Sequence, residues 1–354
     1  MDKLKVALLG ATGLVGQRFV KLLADHPFFE IVALTASSES VGKKYCEATK
    51  WILGPNYPEV VKDLEVLETS PEALKKTGQS VDLVFSALPA NVAREVEPKF
   101  AQEGFNVISN ASAMRMFDDI PLVVPEINPD HLHLIYPQRR KRGWKGFIVT
   151  NPNCSTIILT LTLKPIMDCA GIDTVHVTTL QAVSGAGFSG VTSMAIIDNV
   201  IPFIAGEEEK IQTESLKILG RLSEDSIKYA DITISASCNR VCVLDGHLEN
   251  VFVKLKRPVD LEEIKAALRS FKGLPQELGL PLAPETPVLV REENDRPQPR
   301  LDREEGKGMS VVIGRLRSGK DGWLKYVVLG NNVIRGAAGN SILIGELMVK
   351  KGFV

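Results

Sequence analysis

The chain has no excess of charge, no long apolar run and no cysteine framework. Its 42 Lys and Arg nearly balance 43 Asp and Glu, giving a net charge of −1 and a pI of about 6.6. That near-neutrality removes the bulk attraction that nucleic acid or an anionic membrane would supply. No stretch approaches the roughly 18 apolar residues of a membrane helix. The opening "MDKLKVALLG" passes straight into a strand pattern without an apolar signal segment. Five cysteines, an odd number at irregular spacing, make no disulfide scaffold and fit a reduced, cytoplasmic setting. Cys238 and Cys242 lack a histidine at zinc-ligand spacing, so no metal site is expected. The basic run "QRRKRGWKG" (138–146) has no interleaved aromatics beyond one Trp and reads as a solvated helix end. Internal repeats and low-complexity tracts are absent too.

What is present is an ordinary globular composition, 44% hydrophobic and 24% charged, over 354 residues. That length predicts two domains. In the first half, short apolar strands ("KVALLG", "EIVALTAS", "VDLVFSAL", "FNVISNAS") alternate with helical patterns ("LVGQRFVKLLADH", "NVAREVEPKFAQEG"). Alternation of this kind predicts an α/β fold with a doubly wound parallel sheet. Past residue 150, "TVHVTTLQAV", "ADITISASCNRV" and "NVFVKLK" alternate with period two, which predicts an α+β domain with a largely antiparallel sheet. Two helical stretches interleave, "EEEKIQTESLKILGRL" and "LEEIKAALRSF". A Pro-rich excursion (279–300) reads either as a surface loop or as a segment packed on another element or subunit.

"VALLGATGLVGQRF" sets Gly10, Gly13 and Gly16 between the first strand and first helix. Gly10 permits the tight turn, Gly13 lets backbone approach a pyrophosphate, and Gly16 allows close helix–strand packing. Free N–H groups at the helix start favour phosphate. The spacing is GxxGxxG rather than GxGxxG. Thr12, Leu14 and Val15 in the turn, and Ser86 and Leu88 at the end of "VDLVFSAL", complete the expected cofactor surface. The second strand lacks the acid that would hold a ribose diol at its end; Ser37 and Ser38, with Lys43 beyond, suit a 2′-phosphate. The reading is therefore NADP, with Glu39 as the residue that could instead favour NAD.

"TNPNCST" (150–156) places Cys154 in a polar loop before the apolar stretch "IILTLTLKPIM". A thiolate at a helix start gains from the positive dipole end. Of the five histidines, His26, His131 and His133 read as surface residues near helix ends and His176 as a structural strand residue. His247, in the turn "VLDGHLEN", is the base the sequence offers.

Together, the glycine loop, "NPNCST", "LQAVSGAG", "NRV" followed by "GH", and "IRGAAG" resemble, in order and over nearly the whole chain, aspartate-β-semialdehyde dehydrogenases of the archaeal and fungal branch. Their two-domain plan is similar to that of glyceraldehyde-3-phosphate dehydrogenase. The resemblance implies a Rossmann-type nucleotide domain from 1–152 plus 335–354 and a catalytic and dimerisation domain from 153–334, assembled as a homodimer or a tetramer. It implies that Cys154 is the nucleophile, that His247 handles the proton and that Gln181 orients the substrate. Asn153 and the Cys154 N–H are read as oxyanion donors. Arg115 and Lys210 are assigned to phosphate, Arg240 to the substrate carboxylate, and Glu207, with Glu208 as rival, to its amine. Ser184, Gly185, Gly187 and Asn332 would close around the nicotinamide. The activity implied is NADP(H)-dependent interconversion of L-aspartyl 4-phosphate and L-aspartate 4-semialdehyde, serving lysine, threonine, methionine and isoleucine biosynthesis.

Two alternatives stand beside this. A malonyl-CoA reductase shares the cysteine chemistry, but its loop loses the asparagine before the cysteine, and Asn153 is present here. A non-catalytic NADP-binding protein would keep the glycine loop but have no need of Cys154, His247, Arg240 and Arg115 together.

Overall fold

The computed structural model describes residues 2–354. Its first part builds a six-stranded sheet from β1 (Leu4–Leu9), β2 (Phe29–Ala36), β3 (Val66–Glu68), β4 (Leu83–Ser86), β5 (Asn106–Ser109) and β6 (Phe147–Thr150). The order is β3-β2-β1-β4-β5-β6 and every neighbouring pair is parallel. This is the doubly wound arrangement expected. Val6–Leu9 and Leu83–Ser86 are buried throughout, because helices cover both faces of a parallel sheet. The strand order reverses between β1 and β4, and the resulting crevice is where such sheets bind ligands.

Three helices frame that crevice. Leu14–Leu23 follows the glycine turn and buries Phe19, Val20 and Leu23. Ala90–Gln102 follows β4. The C-terminal helix, Gly339–Lys351, returns to the first sheet: Ile342, Leu343 and Leu347 share one core with Val6, Leu8 and Phe19. "NNVIRGAAG", read from sequence as a loop, is instead partly helical. Ile334–Ala338 form a π turn that runs unbroken into the C-terminal helix.

The second sheet holds β7 (Ile172–Gln181), β8 (Val200–Ile201), β11 (Thr233–Val241), β12 (His247–Leu255), β13 (Val288–Val290), β14 (Val311–Ser318) and β15 (Trp323–Gly330). Its order is β13-β14-β15-β12-β7-β11-β8, while β9 (Arg221–Ser223) and β10 (Ser226–Lys228) form a separate ribbon. Four of its pairs are antiparallel, but β7–β11 and β13–β14 are parallel, so the sheet is mixed. Period-two patterning reports a one-sided strand, not its direction. The β7-to-β11 connection contains the helix Glu207–Ile218, long enough for a crossover, and this permits the parallel pairing. One face of the sheet, with Val175, Val177, Val251 and Val253, packs on the helix Cys154–Ala170. That helix is buried nearly all round, as its continuous apolar run requires.

The Pro-rich excursion is packed. Leu282 and Ala283 join the first core and Val288–Val290 become β13. Two histidines expected at the surface are buried. His26 bonds to Glu346 at 2.7 Å and stacks on Phe29; His131 meets Asn128 at 2.8 Å. Both lie where the chain turns under a neighbouring element, which local polarity does not reveal. No helix among the described residues is long and apolar enough to cross a membrane.

Candidate active site

β6 ends at Thr150, and the chain turns through Asn151–Asn153 into the Cys154–Ala170 helix. Asn153 is the N-cap. Its Oδ1 accepts from the N–H groups of Ser155 (3.0 Å) and Thr156 (3.2 Å). The Cys154 N–H is not taken by the cap and stays available to a substrate oxygen. Cys154 is half-buried at the edge of a cavity of about 300 Å³. Burial pushes its thiol up to about 12, with the Glu207 charge adding to this; the Ser155 N–H, Arg115 and Arg240 pull the other way.

The same cavity is lined by Arg115, Asn153, Glu207, Lys210, Ser184, Gly185, Gly187, Asn332, Val15 and Leu88. Glu207 Oε1 accepts from Lys210 Nζ at 2.7 Å, and its Oε2 accepts from Asn153 Nδ2 at 2.8 Å. Burial pushes Glu207 up, but Lys210, Asn153 and His247 outweigh it and hold the carboxyl below its ordinary range. Glu208 turns away and accepts from the Cys238 N–H at 3.0 Å, so Glu207 is the glutamate that faces the cavity.

Gln181, Arg240 and His247 form the wall behind it and are buried. Gln181 Nε2 donates to Ser155 Oγ at 2.8 Å. Arg240 Nη1 donates to the Ala182 carbonyl at 2.7 Å. A Cβ built on Gly185 would lie 2.7 Å from Arg240 Nη1 and 3.1 Å from His247 Nε2, so a side chain there would press on both groups. His247 Nδ1 accepts from the Ala182 N–H at 3.1 Å. The neutral ring therefore carries its hydrogen on Nε2, which is buried without a protein partner. Burial, then Arg240, lowers its pKa to about 3, so the ring is uncharged near neutral pH. This differs from the base expected: the resting ring presents a donor.

Asn332 ties two loops together. Its Oδ1 accepts from the Gly246 N–H (2.8 Å) and its Nδ2 donates to Ser184 Oγ (2.9 Å).

A second cavity of about 690 Å³ adjoins the first through Leu88 and is lined by Gly10, Thr12, Gly13, Ser37, Ser38 and Glu68. The turn fits a dinucleotide. Gly10 has φ +76°, and a Cβ there would press on the Ala87 carbonyl at 2.9 Å. A Cβ on Gly13 would meet only the Gly10 carbonyl, at 3.6 Å, so that side of the turn stays open. Gly16 packs on Gly10 and Ala11 and admits no side chain.

Three expected cofactor contacts lie elsewhere. Lys43 is exposed, its Nζ on the Glu39 carbonyl at 2.7 Å. Ser86 is buried under the sheet end. Leu14 faces a neighbouring cleft with Arg18 and Asp245. None of the three lines the two cavities: Ser86 and Leu14 are turned elsewhere by strand and helix phase, and Lys43 lies in the turn past β2.

Sequence reasoning missed Glu68, which lines the second cavity, and Glu214. Glu214 accepts from Arg115 Nη1 at 2.9 Å and from the Asn153 N–H at 2.7 Å. Its signal was available: Glu214 is seven residues after Glu207 on one helix, hence on the same face. Gly336 was named only within a motif. A Cβ there would lie 2.5 Å from Cys154 Cβ.

Comparison with known proteins places this geometry in a family. Residues 5–135 match the semialdehyde dehydrogenase NAD binding domain and residues 163–335 the semialdehyde dehydrogenase dimerisation domain. An aspartate-semialdehyde dehydrogenase from Archaeoglobus fulgidus is 55% identical over 99% of both chains. A malonyl CoA reductase (NADP) from Metallosphaera sedula is 41% identical over 99% of this chain and 98% of its own. The solved structure of aspartate semialdehyde dehydrogenase with NADP from Candida albicans superposes with a TM-score of 0.90 at 42% identity, covering all of both chains. The chain thus belongs to the aspartate-semialdehyde dehydrogenase family, with the two-part fold and the cysteine loop its sequence announced.

Proposed function

We propose that this chain reduces L-aspartyl 4-phosphate to L-aspartate 4-semialdehyde, with release of phosphate, through a thioester on Cys154. One observation carries the reading. Cys154 stands at a helix N-terminus in a cavity that also presents Arg115, Lys210 and Glu207 and adjoins the glycine-loop cavity at Leu88. The bound NADPH would supply hydride. Gly10, Thr12, Gly13, Ser37 and Ser38 would hold its adenosine and phosphate portion, and Ser184, Gly185, Gly187 and Asn332 its nicotinamide end.

The residues then divide the work. The Cys154 sulfur attacks the phosphorylated carboxyl carbon, the C–O bond to phosphate breaks, and the thiol proton leaves with the phosphate, giving the acyl-enzyme. Once the carbonyl has been reduced, the C–S bond breaks and frees the semialdehyde. The oxygen that becomes charged is met by the Cys154 N–H and by the Nε2–H of His247, which the Ala182 contact holds in the donor form. Arg115 and Lys210 take the phosphate, and Arg240 forks onto the α-carboxylate. Glu207 pairs with the ammonium. Gln181, anchored on Ser155, orients the substrate at the sulfur. We assign residues 1–152 and 335–354 to the nucleotide-binding domain and 153–334 to the catalytic domain. Two copies would pair through the outer face of the second sheet, where Phe252 is exposed and Trp323 stacks on His176. The five unpaired cysteines support a cytoplasmic setting.

The test is NADPH formation, in the reverse direction, from L-aspartate 4-semialdehyde, NADP and phosphate. The expected outcome is activity that requires phosphate and vanishes in Cys154→Ser. Reductive activity with malonyl-CoA and none with the semialdehyde would move the enzyme to the other specificity and withdraw the roles of Arg240 and Glu207.

A further inference from the structure

The helix Glu207–Ile218 brings more than Glu207 and Lys210 to the cavity. Two turns on from Glu207, the same face carries Glu214, and three residues further Lys217. Glu214 is 1% exposed and Lys217 wholly buried. A buried charge is costly unless its polar atoms are matched, and here they are. Glu214 divides its oxygens: Oε1 accepts from Arg115 Nη1 (2.9 Å) and Oε2 from the Asn153 N–H (2.7 Å). Lys217 Nζ donates to the carbonyls of Arg115 (2.7 Å), Phe117 (2.7 Å) and Ile120 (2.8 Å). The segment that carries Arg115 and the loop that carries Cys154 are therefore fastened to one helix.

Arg115 has little freedom left. Nη1 is on Glu214, Nη2 donates to the Asn110 carbonyl at 2.7 Å, and Nε is buried without a protein partner. The edge it turns to the cavity is set by the acceptors behind it. Asn153 is fixed in the same way, with its backbone on Glu214 and its amide on the helix start and on Glu207.

We infer that Glu214 is a positioning residue for the reaction, aligning Arg115 and the Cys154 loop as one unit so that phosphate recognition and sulfur placement change together. The inference rests on the reading of Arg115 as the phosphate ligand. A carboxylate is required: both neighbours are donors, and glutamine would turn its amide donor onto one of them.

Steady-state kinetics in the oxidative direction, with phosphate varied, test this on the full-length enzyme, Glu214→Gln, Arg115→Lys and the double variant. Glu214→Gln is expected to raise the phosphate KM about tenfold and lower kcat about tenfold, with the semialdehyde KM moving less than about threefold. The double variant is expected to show a phosphate KM no worse than Arg115→Lys alone, since both changes act through one guanidinium. A fall in kcat with an unchanged phosphate KM, no effect on either, or multiplying effects on KM in the double variant would each overturn the inference. Should Glu214→Gln fail to fold, Glu214→Asp keeps the charge but is one methylene short of holding both donors, and the same outcomes decide. Wild-type activity without phosphate would refute the underlying function. A phosphate-dependent wild type beside an unaffected Glu214→Gln refutes this inference alone.

Discussion

Cys154 has a helix start to lower its thiol and a buried, Glu207-flanked setting that raises it, and the second prevails in the resting site. The thiol is held protonated near neutral pH, and its reactivity waits on changes in the charges around it. Glu207→Gln removes one of the two influences that raise it. The expected outcome is a lower pH midpoint for alkylation of Cys154 by iodoacetamide, followed by mass spectrometry of the modified peptide; an unchanged or higher midpoint would contradict this account. His247 illustrates how much a single backbone contact decides. The sequence places an imidazole beside the cavity, but only the fold shows Ala182 offering its N–H to Nδ1 and so making Nε2 the donor. The residues whose place was legible in the sequence were those whose position follows from type and neighbours, such as Cys154, Asn153 and Gly13, all of which line the two cavities. Lys43, in the turn past β2, and Ser86, at the end of β4, line neither cavity, because the direction of a side chain in a turn or at a strand end depends on twist and turn, which residue identity does not encode.

At the scale of elements, the helix Ala90–Gln102 presents Glu97 to the ends of β4 and β5. Glu97 is wholly buried and accepts from Ser109 Oγ at 2.7 Å. Burial raises its carboxyl to about 7, although Ser86, Ser109 and Arg115 pull it down. A folded-state value above the unfolded one of 4.5 means the protein prefers Glu97 protonated. Its contribution is therefore most favourable below 4.5, is lost as pH climbs from there to about 7, and stays lost above that. The loss amounts to on the order of 3 kcal/mol. Glu97→Gln should gain on wild type between pH 5 and 8 by up to that amount, read from urea midpoints at each pH. An equal stability difference at both would rule the explanation out. Elements with strong periodicity were readable from sequence, among them the first helix and the helix Glu207–Ile218. The parallel partnership of β7 with β11 was not, because strand direction is set by the crossover path and not by alternation. The π turn at Ile334–Ala338 was missed for a related reason: its glycine and alanines read as a loop until packing on Cys154 and Met309 forces the chain into a helical course.

For the molecule as a whole, one charged link between distant segments is the sealed pair of Arg335 with Glu126. Both are fully buried, and Nη1 and Nη2 donate to the two carboxylate oxygens at 2.8 and 2.6 Å. The pair joins the chain before the C-terminal helix to the loop after β5. Removing one partner leaves the other charge stranded, so Glu126→Ala should destabilise the fold by about 3–5 kcal/mol, measured by denaturant unfolding. A loss below about 1 kcal/mol would mean water reaches Arg335 and the pair is not sealed. The overall plan was legible because alternation in the first half and period-two strands in the second belong to different layer architectures. The contacts that fasten the two layers together were not, since they join residues about 100 to 230 positions apart, such as Arg115 with Glu214 and Arg18 with Asp245.

The return of the C-terminal helix to the first sheet has a consequence for how the enzyme is made. Ile342, Leu343 and Leu347 fill the core that Val6 and Leu8 begin, and Val333, Gly336 and Ala337 wall the cavity beside Cys154. On the ribosome, β1 must wait until the helix Gly339–Lys351 has emerged before this side of its hydrophobic surface is covered. A nascent chain halted short of Ile334 would thus leave the part of this sheet that Ile342, Leu343 and Leu347 cover exposed to the cell's chaperones.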